Sequence, residues 1–106
     1  MKSIDENSIN VMKKVEMLYT ISENFVKYKK LNSLTKDDMA KKLNIDYNML
    51  EKIESGKYNP TFKKLFDLTY QLTGNSKMFI NILESMIYNI KLVDEVKENF
   101  ENKNIN

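Results

Sequence analysis

The chain has no cysteine and no histidine. Disulfides, thiol chemistry, zinc sites of the usual Cys/His kind and relays that need an imidazole are therefore excluded. Arginine is also missing, so all 17 basic residues are lysines. Lysine meets phosphate as a point charge and lacks arginine's bidentate fork. Abundant Asn, Ile and Lys fit an AT-rich coding sequence, which accounts for the missing arginine without selection on function. Two glycines and one proline are the only strong chain breakers, which suits an all-helical protein. No apolar run approaches the roughly 18 residues a membrane span needs. The opening MKSIDENSIN lacks a signal peptide's apolar core. These absences lead us to expect a cytoplasmic protein with no membrane partner.

What is present is enough for one small domain: 106 residues, 42% of them hydrophobic. The net charge is +2, and its distribution is uneven. Residues 1–33 carry six Lys and four acids, residues 34–64 seven Lys and five acids, and residues 65–106 four Lys and six acids. A nucleic-acid face belongs to the first two thirds, because phosphate repels the acidic tail.

Residues 1–8 are polar and expected to fray. From Ile9 onward, Ile9, Met12, Val15, Leu18, Ile21, Phe25 and Tyr28 follow helical spacing. Thr20-x-x-Glu23 matches a capping box, so a break near Thr20 is preferred over one continuous helix from Ser8 to Lys30. Thr35 caps a second helix, Lys36 to Leu43, with Asp38 completing a capping box and Asp37 in the first turn. Met39, Ala40 and Leu43 form its apolar stripe, and Asn44 suits the left-handed stop. Asp46 caps a third helix, Tyr47 to Glu54, which buries Met49, Leu50 and Ile53 before Gly56 and Pro60 end it. Thr61 caps a fourth helix, Phe62 to Leu72, with Phe62, Leu65, Phe66, Leu68 and Leu72 apolar and Gly74 at its end. Ser76 caps a long fifth helix reaching Glu98 or Phe100.

The stretch from Thr35 to Pro60 resembles the helix-turn-helix of the lambda-repressor/Cro-like (XRE) family. The likeness rests on Thr-Lys-Asp-Asp-Met-Ala at its start, the small Ala40, the turn at Asn44-Ile45, and Ile53-Glu54-Ser55-Gly56-Lys57-x-Asn59-Pro60. It extends over about Phe25 to Leu72. It implies an all-α, lambda-repressor-like domain, and with the helical spacing at both ends of the chain the expected fold is five-helix, with an N-terminal helical extension and a long C-terminal helix. The corresponding division is 1–20 extension, 21–74 helix-turn-helix domain, and 75–106 C-terminal helix for dimerisation.

A helix-turn-helix presents its second helix to the major groove. With Met49, Leu50 and Ile53 inward, Tyr47, Asn48, Glu51, Lys52 and Ser55 face out. Asn48 can bond adenine N6 and N7, Lys52 can donate to guanine O6 or N7, and Glu51 can accept from cytosine N4. The resemblance gives the base-contacting set as Tyr47, Asn48, Glu51 and Lys52. Thr35 and Lys36 open the second helix, where free backbone N–H groups meet phosphate. Lys57, Tyr58, Asn59, Thr61 and Lys63 match the family's second backbone-contacting segment. Lys41, Lys42 and Lys64 read as solvated charges, and Glu54 matches a glutamate with a structural role. The family often has glutamine where this chain has Lys36 and glycine where it has Asn44.

On the fifth helix, Phe79, Leu83, Met86, Ile90, Val93 and Phe100 form an apolar seam, widened by Ile80, Ile82, Ile87 and Val96. A helix of roughly 24 residues is about 36 Å long, more than a small core covers. The N-terminal extension, the same helix of a second subunit or another protein could cover the remainder. Homodimerisation through Phe79, Leu83, Met86, Ile90 and Val93 is the preferred reading.

The expected function is that of a dimeric, sequence-specific transcriptional regulator of double-stranded DNA, a repressor in the first instance. The alternative is a protein-interaction module of the same fold, an antitoxin or an antagonist of a related regulator, acting through its last helix. Catalysis is not expected: there is no glycine-rich phosphate loop and no nucleophile elbow. Asp94 with Glu98 is the best carboxylate pair, and nothing places further ligands beside it. No catalytic residue, metal or cofactor is assigned.

Overall fold

The computed structural model describes the backbone of residues 5–105 and the side chains of residues 5–102. Five helices and no strand occur among the described residues: α1 (Glu6–Leu31), α2 (Lys36–Leu43), α3 (Tyr47–Glu54), α4 (Phe62–Thr73) and α5 (Lys77–Ile105). The first four residues of the segment expected to fray lie outside this range. Glu6, Asn7 and Ser8 are helical, because the Asp5 carboxylate caps α1 by accepting the Asn7 N–H at 2.9 Å.

α1 is one helix of 26 residues, and the expected break at Thr20 does not occur. Thr20 is no cap. Its hydroxyl donates to the Glu16 carbonyl at 2.7 Å and accepts from the Asn89 carboxamide at 2.9 Å. A threonine within a helix can satisfy its hydroxyl on the carbonyl four residues back, so the capping-box pattern alone does not mark an end. The chain then turns through Ser33 at φ 53°.

The three short helices follow their caps. Thr35 and Asp38 complete the reciprocal box, and Asn44 is left-handed at φ 54°, φ and ψ both positive. The Asp46 carboxylate accepts the Met49 N–H at 2.7 Å. Ser55 is the last cap of α3, with Gly56 one residue beyond at φ 74°. Thr61 caps α4, and Gly74 closes it at φ 75°. At the start of α5 the Asn75 carboxamide accepts the Lys77 N–H at 2.9 Å.

Phe25 of α1, Met39 and Leu43 of α2, Leu50 and Ile53 of α3, Leu65, Leu68 and Leu72 of α4, and Ile82 of α5 pack into one core. Of the apolar residues of α4, Phe62 and Phe66 are exposed; the Phe66 ring stands edge-on to Phe79 at 5.3 Å. α5 ends at Ile105, beyond the expected Glu98 or Phe100.

α1 and α5 lie antiparallel and form the most extensive helix pair. Glu6 pairs with Lys97 at 3.0 Å and Lys13 with Asp94 at 2.9 Å, while Tyr28 at the other end donates to the Leu72 carbonyl at 3.4 Å. Their far halves project beyond the helix-turn-helix as an arm, and the molecule measures 55 × 25 × 25 Å. α1 thus covers one face of the last helix, its part from Glu6 to Thr20 lying along the far half from Asn89 to Lys97. That face is Met78, Ile82, Met86 and Val93, offset from the seam expected from spacing. Met86 and Val93 are buried within the chain, out of a second chain's reach in this conformation. Phe79 and Leu83 pack against the core, and Ile90 is half-buried.

Candidate nucleic-acid interface

α3 has a dry side and a wet side. Leu50 and Ile53 are essentially inaccessible and Met49 is half-buried, while Tyr47, Asn48, Glu51 and Lys52 are exposed. Eight residues make about two turns, so the capped first turn fixes where all four exposed side chains point. α2 packs against both α3 and α4, which holds the turn at Asn44 rigidly to the core.

The position of α3 is secured by an ion pair that spacing did not reveal. Lys29 of α1 donates to both carboxylate oxygens of Glu54, at 2.9 and 3.0 Å. The Ser22 hydroxyl donates to the Glu54 carbonyl. With the two charged side chains only 15% and 9% exposed, this clamp ties the end of α3 to α1. Glu54 had a structural role in the sequence reading. Lys29, 25 residues away, carried no signal of its own.

Three of the expected site residues meet at one point. Lys36, at the start of α2, forms an ion pair with Glu51 of α3 and lies 5.8 Å from the centre of the Tyr47 ring. The Glu51 hydrogen bond holds the Lys36 ammonium above its usual pKa. Lys36 is therefore a firmly protonated ammonium paired with Glu51 on the outer surface. Lys52 has no ion-pair partner among the described residues.

Other expected phosphate contacts have local duties. The Thr35 N–H donates to the Asp38 carboxylate at 2.9 Å and the Thr35 hydroxyl accepts the Asp38 N–H at 3.1 Å. The Thr35 N–H, and after it the Thr35 hydroxyl, hold the Asp38 carboxyl below the usual carboxylate range. Thr61 caps α4 by accepting the Lys64 N–H at 3.1 Å. Lys63 pairs with Asp67 at 3.0 Å, yet its side chain stays 88% exposed. Tyr58 is half-buried against the core, and burial pushes its phenol pKa up. Lys57 and Asn59 are exposed on the segment that leaves α3. Among the described residues no group of three or more acidic side chains could hold a metal ion, and no helix is long and apolar enough to cross a membrane.

The comparisons with known proteins concern this same region. A helix-turn-helix family model matches residues 27–69. An uncharacterized HTH-type transcriptional regulator of Methanocaldococcus jannaschii is 42% identical over 41 residues, covering 39% of this chain and 62% of that protein. The chain thus spans less than two thirds of the curated relative's length. No solved structure matches. The chain is thus similar over residues 27–69 to a helix-turn-helix family, and the caps around Asn44 and the outward row on α3 agree with the resemblance to the lambda-repressor/Cro-like (XRE) family.

Proposed function

We propose that the protein is a transcriptional regulator, a repressor, that binds specific sites in double-stranded DNA as a dimer and works in the cytoplasm. α3 enters the major groove. Tyr47, Asn48, Glu51 and Lys52 meet base edges, and Thr35, Lys36, Lys57, Tyr58, Asn59, Thr61 and Lys63 meet the phosphates on either side. The observation that carries this reading is the wet side of α3: four contiguous polar or aromatic side chains on a helix whose other side is fixed in the core. The base-bonding geometry suits Asn48 on adenine and Lys52 on guanine. Helix-turn-helix dimers read two half-sites about 34 Å apart.

Selection of binding sites from random duplex DNA at low salt tests the reading. Enrichment of a pseudo-palindromic sequence supports it; recovery of unselected DNA removes its main support.

A second reading, an antitoxin or an antagonist of a related regulator, is favoured by the apolar side chains exposed along the arm. Its mark is a protein partner bound with no enriched DNA site.

A further inference from the structure

We infer that one side of the α1–α5 arm is the dimer surface, and that two arms pair antiparallel into a four-helix bundle with a second copy of this chain. The inference deepens the proposed function: half-site spacing bears on it, but the surface itself does not depend on DNA.

The Lys13–Asp94 ion pair and the Thr20–Asn89 hydrogen bond set the register of the arm. In that register Met12 lies level with Val96, Val15 with Leu92, and Tyr19 with Tyr88. Each column follows helical spacing, with steps of 3 and 4 on α1 and 4 and 4 on α5, so each forms one stripe. The two stripes are on the same side of the pair: Tyr19 and Ser85 line one surface concavity, and Glu23, Ser85 and Tyr88 an adjoining one. The six side chains are 37% (Met12), 57% (Val15), 58% (Tyr19), 59% (Tyr88), 41% (Leu92) and 52% (Val96) exposed.

Three apolar tiers across two antiparallel helices are half of a four-helix bundle. A two-helix layer cannot bury both of its faces, and a second such layer is the simplest cover. The tiers leave on the order of 600 Å² uncovered per chain. That is the upper end for the largest patch on a monomer and about three quarters of the roughly 800 Å² each partner gives a standard interface.

The arrangement also has the right dimensions for a second copy. Glu54, the last residue of α3, is clamped to α1 through Ser22 and Lys29, so that end of α3 lies level with about residue 25 of the arm. The middle tier is at Val15. Ten residues of helix are about 15 Å, so a two-fold axis at the middle tier separates the clamped Glu54 ends of the two α3 helices by about 30 Å along the arm. Half-sites one DNA turn apart need about 34 Å. A parallel pairing would place both α3 helices at the same level and lose this separation.

Sedimentation equilibrium of the full chain tests the surface without DNA. The expected result is a dimer that becomes a monomer in the Val15→Glu/Leu92→Glu variant, with its helical circular dichroism kept. Ile87→Glu is the control: it is 59% exposed, and five residues from Leu92 place it about 140° around α5, so it should remain dimeric. The sequence has no cysteine, so Val15→Cys gives a single thiol close to its symmetry mate. Oxidation should yield a covalent dimer. A monomeric wild-type chain, or a dimer that survives the double substitution, overturns the surface. A non-covalent dimer in which Val15→Cys fails to cross-link overturns the antiparallel arrangement. A dimer with no DNA preference would leave this inference standing and remove the proposed function instead.

Discussion

At the scale of single residues, the candidate interface is defined by which charges are already engaged. Glu51 pairs with Lys36 across the α2–α3 surface, so in the proposed complex a phosphate competes with a carboxylate for that lysine. Glu51→Gln should strengthen binding to all duplexes severalfold and steepen the dependence of log K on log salt by about one, read from salt titrations on an unrelated duplex. Asn48→Ala and Lys52→Ala should instead cost about 1–3 kcal/mol on the preferred site and little elsewhere, measured by competition with mismatched sites. The Lys29–Glu54 pair is inside the fold, where losing one partner strands the other. Glu54→Ala should cost about 3 kcal/mol in urea unfolding. Asp38 contributes to the pH dependence of stability. Its carboxyl is held low by Thr35, so its contribution is present above the ordinary carboxylate value near ~3.9 and is lost as pH falls through the lower folded value. Asp38→Asn should therefore narrow the stability difference between neutral and acid pH. Tyr47, Asn48, Glu51 and Lys52 were legible because the inward stripe Met49, Leu50 and Ile53 leaves only one other side. Lys36 with Glu51, and Lys29 with Glu54, were not: pairs 15 and 25 residues apart follow no local rule.

At the scale of elements, α2 and α3 were legible to the residue because short helices are bounded by their caps, and Thr35, Asn44 and Asp46 encode those locally. Gly56 is one such marker. Its φ of 74° opposes any side chain although a Cβ would meet nothing nearer than 3.9 Å, so Gly56→Ala should cost about 1 kcal/mol through backbone strain alone. The long helices were harder to read. Thr20 carries the pattern of a cap but spends its hydroxyl on Glu16 and Asn89 instead. In α5 the spacing correctly indicated an apolar helix but not its orientation. α4 and α1 cover adjoining sides of α5, so the row Phe79–Leu83 and the row Met78–Ile82–Met86 are both partly satisfied. Periodicity reports that a face exists, and only packing decides which neighbour takes it.

At the scale of the whole molecule, a compact helix-turn-helix sits beside one end of a two-helix arm. The extension at the N-terminus supplies half of that arm, and it lies outside the region matched by the family model. The division of labour is then spatial. In the proposed function α3 offers the base-reading row, the Lys29–Glu54 clamp ties its last residue to α1, and in the proposed dimer the arm decides how far apart two such rows are held. The most direct test of the central claim is the base preference of Asn48→Ala, determined by selection from random duplexes alongside the parent chain. The variant should keep the two-part site and its spacing but lose preference at one symmetry-related pair of positions. An unchanged profile at every position would contradict the placement of α3 in the major groove.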